Sequence, residues 1–397
     1  MRIGYLTEDD PRDPNAWSGV NYSIFLALQK YVGQVIPLGP VDLSLVRKFT
    51  WQYEKLIKLL TGKRFDPLGL GLDSRWIGRI VQERLNESID LIIAPTALGL
   101  AYIKTSIPKV FVHDATETQL LDYYPGNSNQ LSISKAMIRR EELKVMNSAD
   151  LIVMSSEWAR ASVIQDLDQD PRKVVSIPFG SNYPISIPRE EILPKTKREH
   201  CNLLFVGKDW DRKGGPLAFK TMLDLNNMGL ETYLTIVGCN PMSLSHHPNV
   251  SIHKFLDTSS EVQRDKLSDL FREAHFFLMP SRQECAAIAF CDANNFGLPV
   301  ITSDTGGITS FVKNGLNGYT LSIHSESKEY AKLIMEIYGD EERYQKLCEA
   351  SRLYYEKKLN RKAWATELKK QISLVLRLEK DSTDKTIDRK PVHHYLV

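Results

Sequence analysis

Twelve short apolar runs, most of them rich in Val, Ile and Leu, alternate with longer amphipathic segments along this chain. That alternation limits the fold more than any other feature. Strands buried on both faces read as near-continuous apolar runs, and strands separated by helices build parallel sheets. The expected strands of the first half are Arg2–Thr7, Gln34–Leu38, Asp90–Ala94, Lys109–His113, Asp150–Met154 and Lys173–Pro178. Those of the second half are Asn202–Val206, Thr232–Val237, Val250–His253, His275–Met279, Pro299–Thr302 and Gly318–Leu321. Between the sets lies SNYPISIPREEILPKTKREH (Ser181–His200), with three prolines, many charges and little periodicity, which reads as a connection between domains.

A chain of 397 residues is long for one α/β core. The expectation is therefore an α/β protein of two doubly wound, Rossmann-like domains facing across a cleft. Their bounds are 1–185 and 201–360, with 186–200 as linker. Arg361–Arg377 carries Trp364, Leu368, Ile372 and Val375 at helical spacing, so a helix is expected over 361–379. The polar tail, 380–397, has too few apolar residues to order itself.

Bulk properties exclude several classes. A net charge of +2 leaves no global nucleic-acid footprint. Five cysteines without a CxxC pair read as reduced thiols. MRIGYLTEDD is a strand followed by acids rather than a secretory leader, and no apolar run approaches the roughly 20 residues that cross a bilayer. The expected location is cytoplasmic, with peripheral contact at the inner membrane face as the variation. Leu43–Arg64 bears on that variation. It has six basic residues against one acid, with Leu43, Val46, Phe49, Tyr53, Leu56, Ile57 and Leu60 at helical spacing. Such a helix either packs its stripe on its own sheet, the reading preferred here, or docks on anionic lipid.

Ligands of doubly wound sheets bind beyond the carboxyl ends of the strands, so the strand-to-loop junctions are the candidate chemistry. After the first strand, TEDDPRDPNAWSGVN places Gly19 before a helical run, where backbone N–H groups favour anions. A ligand-free tight turn fits the same residues. His113 ends a buried strand, with Asp114 next to it, and is either a sugar-hydroxyl partner or a buried histidine paired with backbone. NLLFVGKDWDRKGG gathers Lys208, Arg212 and Lys213 before a helix start. Cations there oppose the helix dipole unless an anion such as a diphosphate arrives; the alternative is a solvated basic turn. The Asp209–Trp210–Asp211 triplet has metal-binding form, but the adjacent cations can neutralise phosphate themselves, so no metal is expected.

The most informative stretch is LMPSRQECAAIAFCDANNFGLPVITSDTGG, residues 278–307. Glu284 opens an expected helix and Asp292 follows eight residues later, about 12 Å along the same face. Two carboxylates so placed could hold the two ends of one elongated ligand. The alternatives are a dipole-capping acid and a solvated helix face.

Taken together, these segments resemble family 4 of the retaining glycosyltransferases, which have the GT-B fold. The resemblance covers nearly the whole chain and is strongest over Asn202–Thr320. Glu284 and Asp292 match the family's Glu-x7-Glu motif, with Asp in second place, beside FGLPVITSDTGG and downstream of the LLFVGKDWDRKGG phosphate loop. SSEWA (Ser155–Ala159), IPFGSN (Ile177–Asn182) and the His113–Asp114 pair also look like family signatures. The resemblance implies that Lys208 and Lys213 grip a donor diphosphate, that Glu284 faces the donor sugar and that Asp292 holds the ribose. It implies that Gly19 lies near the phosphates and His113 near the hexose, and that the last helix returns to the first domain. It implies a retaining hexosyl transfer from a nucleotide sugar, with no metal or other cofactor, to a glycan, lipid-linked or small-molecule acceptor. The family's Phe-Gly after the first acid is replaced by Cys285, Ala286 and Ala287, whose backbone N–H groups can still meet the sugar. Acceptor contacts are expected from Asp9–Trp17 and Asp122–Leu131, with Tyr123–Gln130 a mobile acceptor-side loop. The oligomeric state is not readable from these residues.

Overall fold

The computed structural model describes residues 1–85, 88–96, 98–195 and 199–387. Its twelve strands lie in two six-stranded sheets, every pairing of which is parallel. The first sheet holds β1 (Arg2–Tyr5), β2 (Gln34–Pro37), β3 (Leu91–Pro95), β4 (Lys109–His113), β5 (Leu151–Met154) and β6 (Val174–Ser176), in the order β2-β1-β3-β4-β5-β6. The second holds β7 (Cys201–Val206), β8 (Thr232–Val237), β9 (Val250–His253), β10 (Phe276–Met279), β11 (Val300–Asp304) and β12 (Gly318–Ser322), in the order β12-β11-β10-β7-β8-β9. All twelve coincide with the expected runs to within a few residues at each end. Runs such as LIIAP and FFLM are buried throughout, because helices cover both faces of a parallel sheet.

The helices of the first half are α1 (Val20–Tyr31), α2 (Ser44–Thr61), α3 (Leu72–Arg84), α4 (Glu117–Leu120), α5 (Ser132–Ser148) and α6 (Glu157–Gln165). The second half adds α7 (Gly215–Asn227), α8 (Glu261–Glu273), α9 (Ile288–Asn295), α10 (Ser327–Gly339), α11 (Glu341–Lys358) and α12 (Arg361–Ile387). Both sheets reverse strand order beside their first strand, the switch point at which open α/β sheets bind ligands.

The segment joining the sheets packs on the second domain, and two expectations about helices need correction. Tyr183, Ile187 and Ile192 are buried in the core of the second domain, and Asn295 on α9 holds the backbone of Ile185 and Ile187. Helix α2 does not pack an apolar stripe on its sheet. Thr50 is its one buried residue, and Phe49, Leu56 and Leu60 face solvent, while the partly exposed Tyr53 ring packs edge-on against Phe65. Helix α12 runs to Ile387, through the start of the expected tail, whose residues 388–397 lie outside the described residues.

Helix α12 crosses to the first domain. Trp364, Ala365, Leu368 and Ile372 are buried with Ile3, Tyr5, Ile24 and Phe25 in one cluster. Its first turn pins the crossing: Arg361 donates to Ser23 Oγ on α1 at 2.8 Å and to the carbonyl of Asn182 at 2.9 Å. Gly180 is pressed on this corner, where a Cβ would lie 2.5 Å from the Asn360 carbonyl carbon.

Candidate active site

The tips of β7, β10 and β11 converge on one small region. The loop after β7 turns into α7 through Gly214, whose φ is +77° and whose Cβ position would lie 1.9 Å from the carbonyl oxygen of Pro280 at the end of β10. Only glycine lets the two backbones meet so closely at this torsion angle. The next residue, Gly215, makes room for the Trp210 ring, which also packs edge-on against Phe205. This folding turns Lys213 inward, with its stem along Gly207.

There Lys213 Nζ forms an ion pair with Glu284 Oε2, and both side chains are largely buried. Lys213 is thus compensated by an acid from the chain itself. Arg212 is likewise engaged: it donates to the Gln283 carbonyl at 2.9 Å, pairs with Asp209 at 3.3 Å and lies 5.4 Å from the Tyr124 ring. One arm of the acid triplet is thus an ion-pair partner for the same loop. Lys208 is exposed, with its ammonium 5.2 Å from the Phe255 ring. The structure brings Lys213 to Glu284 but leaves Lys208 apart from that pair.

Glu284 and Asp292 do not share one helical rod. Helix α9 begins at Ile288, so Glu284–Ala287 is an irregular link, bent at Cys285 and closed by Ile288 N donating to the Ala286 carbonyl at 3.1 Å. The Thr305–Gly307 turn clamps it: Gly307 N donates to the Glu284 carbonyl at 3.0 Å, and a Cβ on Gly306 would lie 2.1 Å from that oxygen. Cys285 and Ala287 are buried, and Ala286 packs against the cores of both domains. Burial pushes the Cys285 thiol far above its ordinary pKa, so it is neutral.

Asp292, on α9, accepts from Ser181 Oγ at 2.6 Å and from Tyr183 N at 3.1 Å. Burial raises its pKa; these hydrogen bonds and the Arg361 charge only partly offset that. The carboxylate thus belongs to the corner where the chain passes between domains.

From the first domain, Trp17 (φ 47°), Ser18 (φ 55°) and Gly19 (φ 84°) form three successive left-handed residues before α1. Two of them are not glycine, a strained arrangement that the surroundings must hold. Asn182 does so by donating to the Ser18 carbonyl at 3.0 Å. The Trp17 ring meets Phe179 and His113, at 5.5 and 5.7 Å between centroids.

His113 ends β4 and is buried. In the neutral ring Nδ1 accepts from the N–H groups of Asp114 (2.9 Å) and Ala115 (3.2 Å), which puts the ring proton on Nε2. Nε2 has no hydrogen-bond partner among the described residues. Nδ1 also lies 3.0 Å from Asp114 Oδ1, ready to receive a donated proton from the charged ring. Burial disfavours that charge, but Asp114, Glu117 and Glu142 outweigh it and raise the pKa of His113.

Sequence reasoning missed four groups. Tyr123 and Tyr124, expected in a mobile loop, are packed instead. Glu284 N donates to the Tyr123 hydroxyl at 2.9 Å, and that hydroxyl lies 3.3 Å from Thr305 Oγ1. Tyr124 Oη lies 3.1 Å from Cys285 Sγ. Behind His113, burial pushes Glu117 up to about 7, with the neighbouring Glu142 adding to the shift and His113 opposing it. Glu142 is itself held by Thr118 Oγ1 at 2.7 Å. Paired tyrosines in a polar loop were the only sequence signal for the first two; the acids carried none, because α5 brings Glu142 from far along the chain.

With this geometry in hand, comparison with known proteins is informative. Residues 189–354 match the family described as Glycosyl transferases group 1. A D-inositol 3-phosphate glycosyltransferase of Acidothermus cellulolyticus is 23% identical over 204 residues, 47% of this chain and 45% of that protein. The UDP-Gal:alpha-D-GlcNAc-diphosphoundecaprenol alpha-1,3-galactosyltransferase of Escherichia coli is 27% identical over 176 residues, 41% and 44% of the two chains. The matched part thus spans less than half the length of either relative. Among solved structures, Anabaena HepE in complex with UDP superposes with a TM-score of 0.63 at 14% identity, covering 94% of this chain and 100% of that one. The glycosyltransferase WaaG gives 0.59 at 15% identity over 93% and 98%. These likenesses establish the GT-B fold.

Proposed function

We propose that this protein, whose residues 189–354 match the family described as Glycosyl transferases group 1, transfers a hexose from a nucleotide diphosphate sugar to an acceptor hydroxyl with retention of anomeric configuration. The observation that carries the reading is the Lys213–Glu284 pair, a buried cation and acid at the carboxyl edge of the second sheet.

An ammonium has three N–H donors. Lys213 can keep Glu284 and still give two hydrogen bonds to a diphosphate, so the pair positions the cation before the donor arrives. Lys208 and Arg212 add positive charge from the same loop. Charge developing on the departing diphosphate is then met by groups already in place, each contributing on the order of 3 kcal/mol. Glu284, the N–H groups of Cys285, Ala286 and Ala287, and His113 Nε2 address the hexose. Asp292 addresses the ribose; a carboxylate has about four acceptor positions, and its bonds to Ser181 and Tyr183 leave capacity. Gly19 lets the phosphates approach the start of α1. The acceptor attacks from the face the diphosphate leaves, and a phosphate oxygen takes its proton. The reading uses no metal, because the cations come from the chain.

HepE was crystallised with UDP and with UDP-glucose, and the galactosyltransferase named above acts from UDP-Gal onto a diphosphoundecaprenol-linked sugar. UDP-hexoses are therefore the first donors to try. A thermal-shift series of UDP, GDP and ADP with their hexose conjugates names the base and sugar by the size of the stabilisation. Incubation of labelled donor with and without sugar acceptors then separates the classes. Product that requires an acceptor supports transfer; loss or epimerisation of donor without one identifies a hydrolase or epimerase and refutes the reading.

A further inference from the structure

Helix α2 presents an apolar face that nothing among the described residues covers. At 100° per residue, Leu45, Phe49, Leu56, Leu59 and Leu60 fall within an arc of about 100°, with Gln52 the polar residue inside it. Their exposures are 81, 62, 51, 83 and 74%. The inner side of the same helix is the thin contact of Val46, Thr50 and Ile57. A soluble helix normally turns such a stripe toward its core, and large exposed patches mark interaction sites.

Charge frames the patch. Lys48 and Lys55 project just beside the stripe; Lys58 lies toward the far side of the helix, and Lys63 is exposed beyond its end. Lys55 sits 3.5 Å above the Trp51 ring, which is itself 55% exposed. Arg47 is the basic residue tied inward, bridging Glu8 and Asp73. The single acid of the segment, Glu54, lies on the side away from the stripe.

We propose that this face of α2 docks on a lipid bilayer carrying anionic headgroups, with the leucines and Phe49 in the acyl boundary and the lysines at the phosphates. An apolar stripe with two lysines along one edge, and an exposed tryptophan beyond them under Lys55, fits that environment. A second copy of the chain fits it poorly, because a two-fold interface places the same patch on both sides and so brings no acid to the lysine edge. No described helix is long and apolar enough to cross the membrane, so the contact is at its surface.

The face is continuous with the cleft. The chain leaving α2 is hydrogen-bonded to the loop that carries the two tyrosines: Arg64 N donates to the Asn129 carbonyl and Leu131 N to the Arg64 carbonyl, both at 2.9 Å, and the Arg64 guanidinium donates to the Gly126 carbonyl. Docking through α2 therefore sets that loop close to the bilayer.

The test is co-sedimentation of the full chain with phosphatidylcholine vesicles, with and without phosphatidylglycerol. Binding is expected to the mixed vesicles only and to weaken as salt is raised. Leu59→Asp should lower partitioning at least tenfold, and Lys48→Gln and Lys55→Gln about fivefold each. All three positions are exposed, so helicity and Tm should stay unchanged. Failure to bind either vesicle overturns the proposal, as does equal binding to both. So does a concentration-dependent dimer that Leu59→Asp abolishes while vesicles go unbound, which assigns the face to a second copy. No donor or turnover is needed, so failure here leaves the transfer reading intact.

Discussion

The backbone N–H of Glu284 donates to the hydroxyl of Tyr123 across the interdomain cleft at 2.9 Å. The first domain thereby holds the link whose next three N–H groups, of Cys285, Ala286 and Ala287, are proposed to meet a bound hexose, and Tyr124 stands over Cys285 beside it. On that proposal a donor sugar that shifts the link on binding must break this contact, whereas a free nucleotide diphosphate need not.

Tyr123→Phe should therefore tighten nucleotide-sugar binding about fivefold, since a typical net hydrogen bond is worth about 1 kcal/mol, and leave UDP affinity unchanged. Calorimetric titration with UDP and a UDP-hexose reads both. Weaker sugar binding would mean that the hydroxyl contacts the donor instead.

Lys213 and Glu284 should act as a unit. Each alanine substitution is expected to lower turnover at least tenfold, about 1.4 kcal/mol, and the double variant should lose less than the product of the two. Steady-state rates of the four proteins give the coupling directly. Full additivity would show that the pair has no joint role.

The acids around His113 predict a pH dependence of stability. Glu117 is pushed from an ordinary 4.5 up to about 7 by burial. A raised folded-state pKa contributes stability that is complete below the unfolded value and lost as pH rises through the folded one. Between pH 4.5 and 7 the protein should lose up to roughly 3 kcal/mol from this group. Glu117→Gln should flatten that slope. Urea unfolding of both proteins at pH 5 and pH 8 measures it, and an equal slope in the two refutes it.

Gly214 and Gly229 make a matched pair. Both have positive φ, +77° and +89°, but a Cβ meets the Pro280 carbonyl at the first and open space at the second. Gly229→Ala should cost about 1 kcal/mol, the left-handed penalty alone. Gly214→Ala should cost on the order of 2 kcal/mol more, through the clash, and should weaken nucleotide binding because Lys213 moves with the loop. Denaturant midpoints distinguish the two.

The sequence itself determined the strands, the division into two sheets and the elements that carry the site. Buried strands need apolar side chains on both faces, and that requirement is local; VFVH and LMPS announce His113 and the Glu284 loop without any knowledge of neighbours. Tertiary structure alone decided which charges meet. Glu284 is held outside α9 by the Thr305–Gly307 turn, not placed on a rod with Asp292, and Asp292 is turned to the domain corner by Ser181 and Tyr183. Lys213 finds its acid 71 positions away, and Tyr123 finds the Glu284 backbone 161 positions away. The same holds for α2, whose periodicity is that of a core helix and whose exposure shows that no sheet lies under the stripe. Periodicity records which side of a helix is apolar; only the packed fold decides what that side faces.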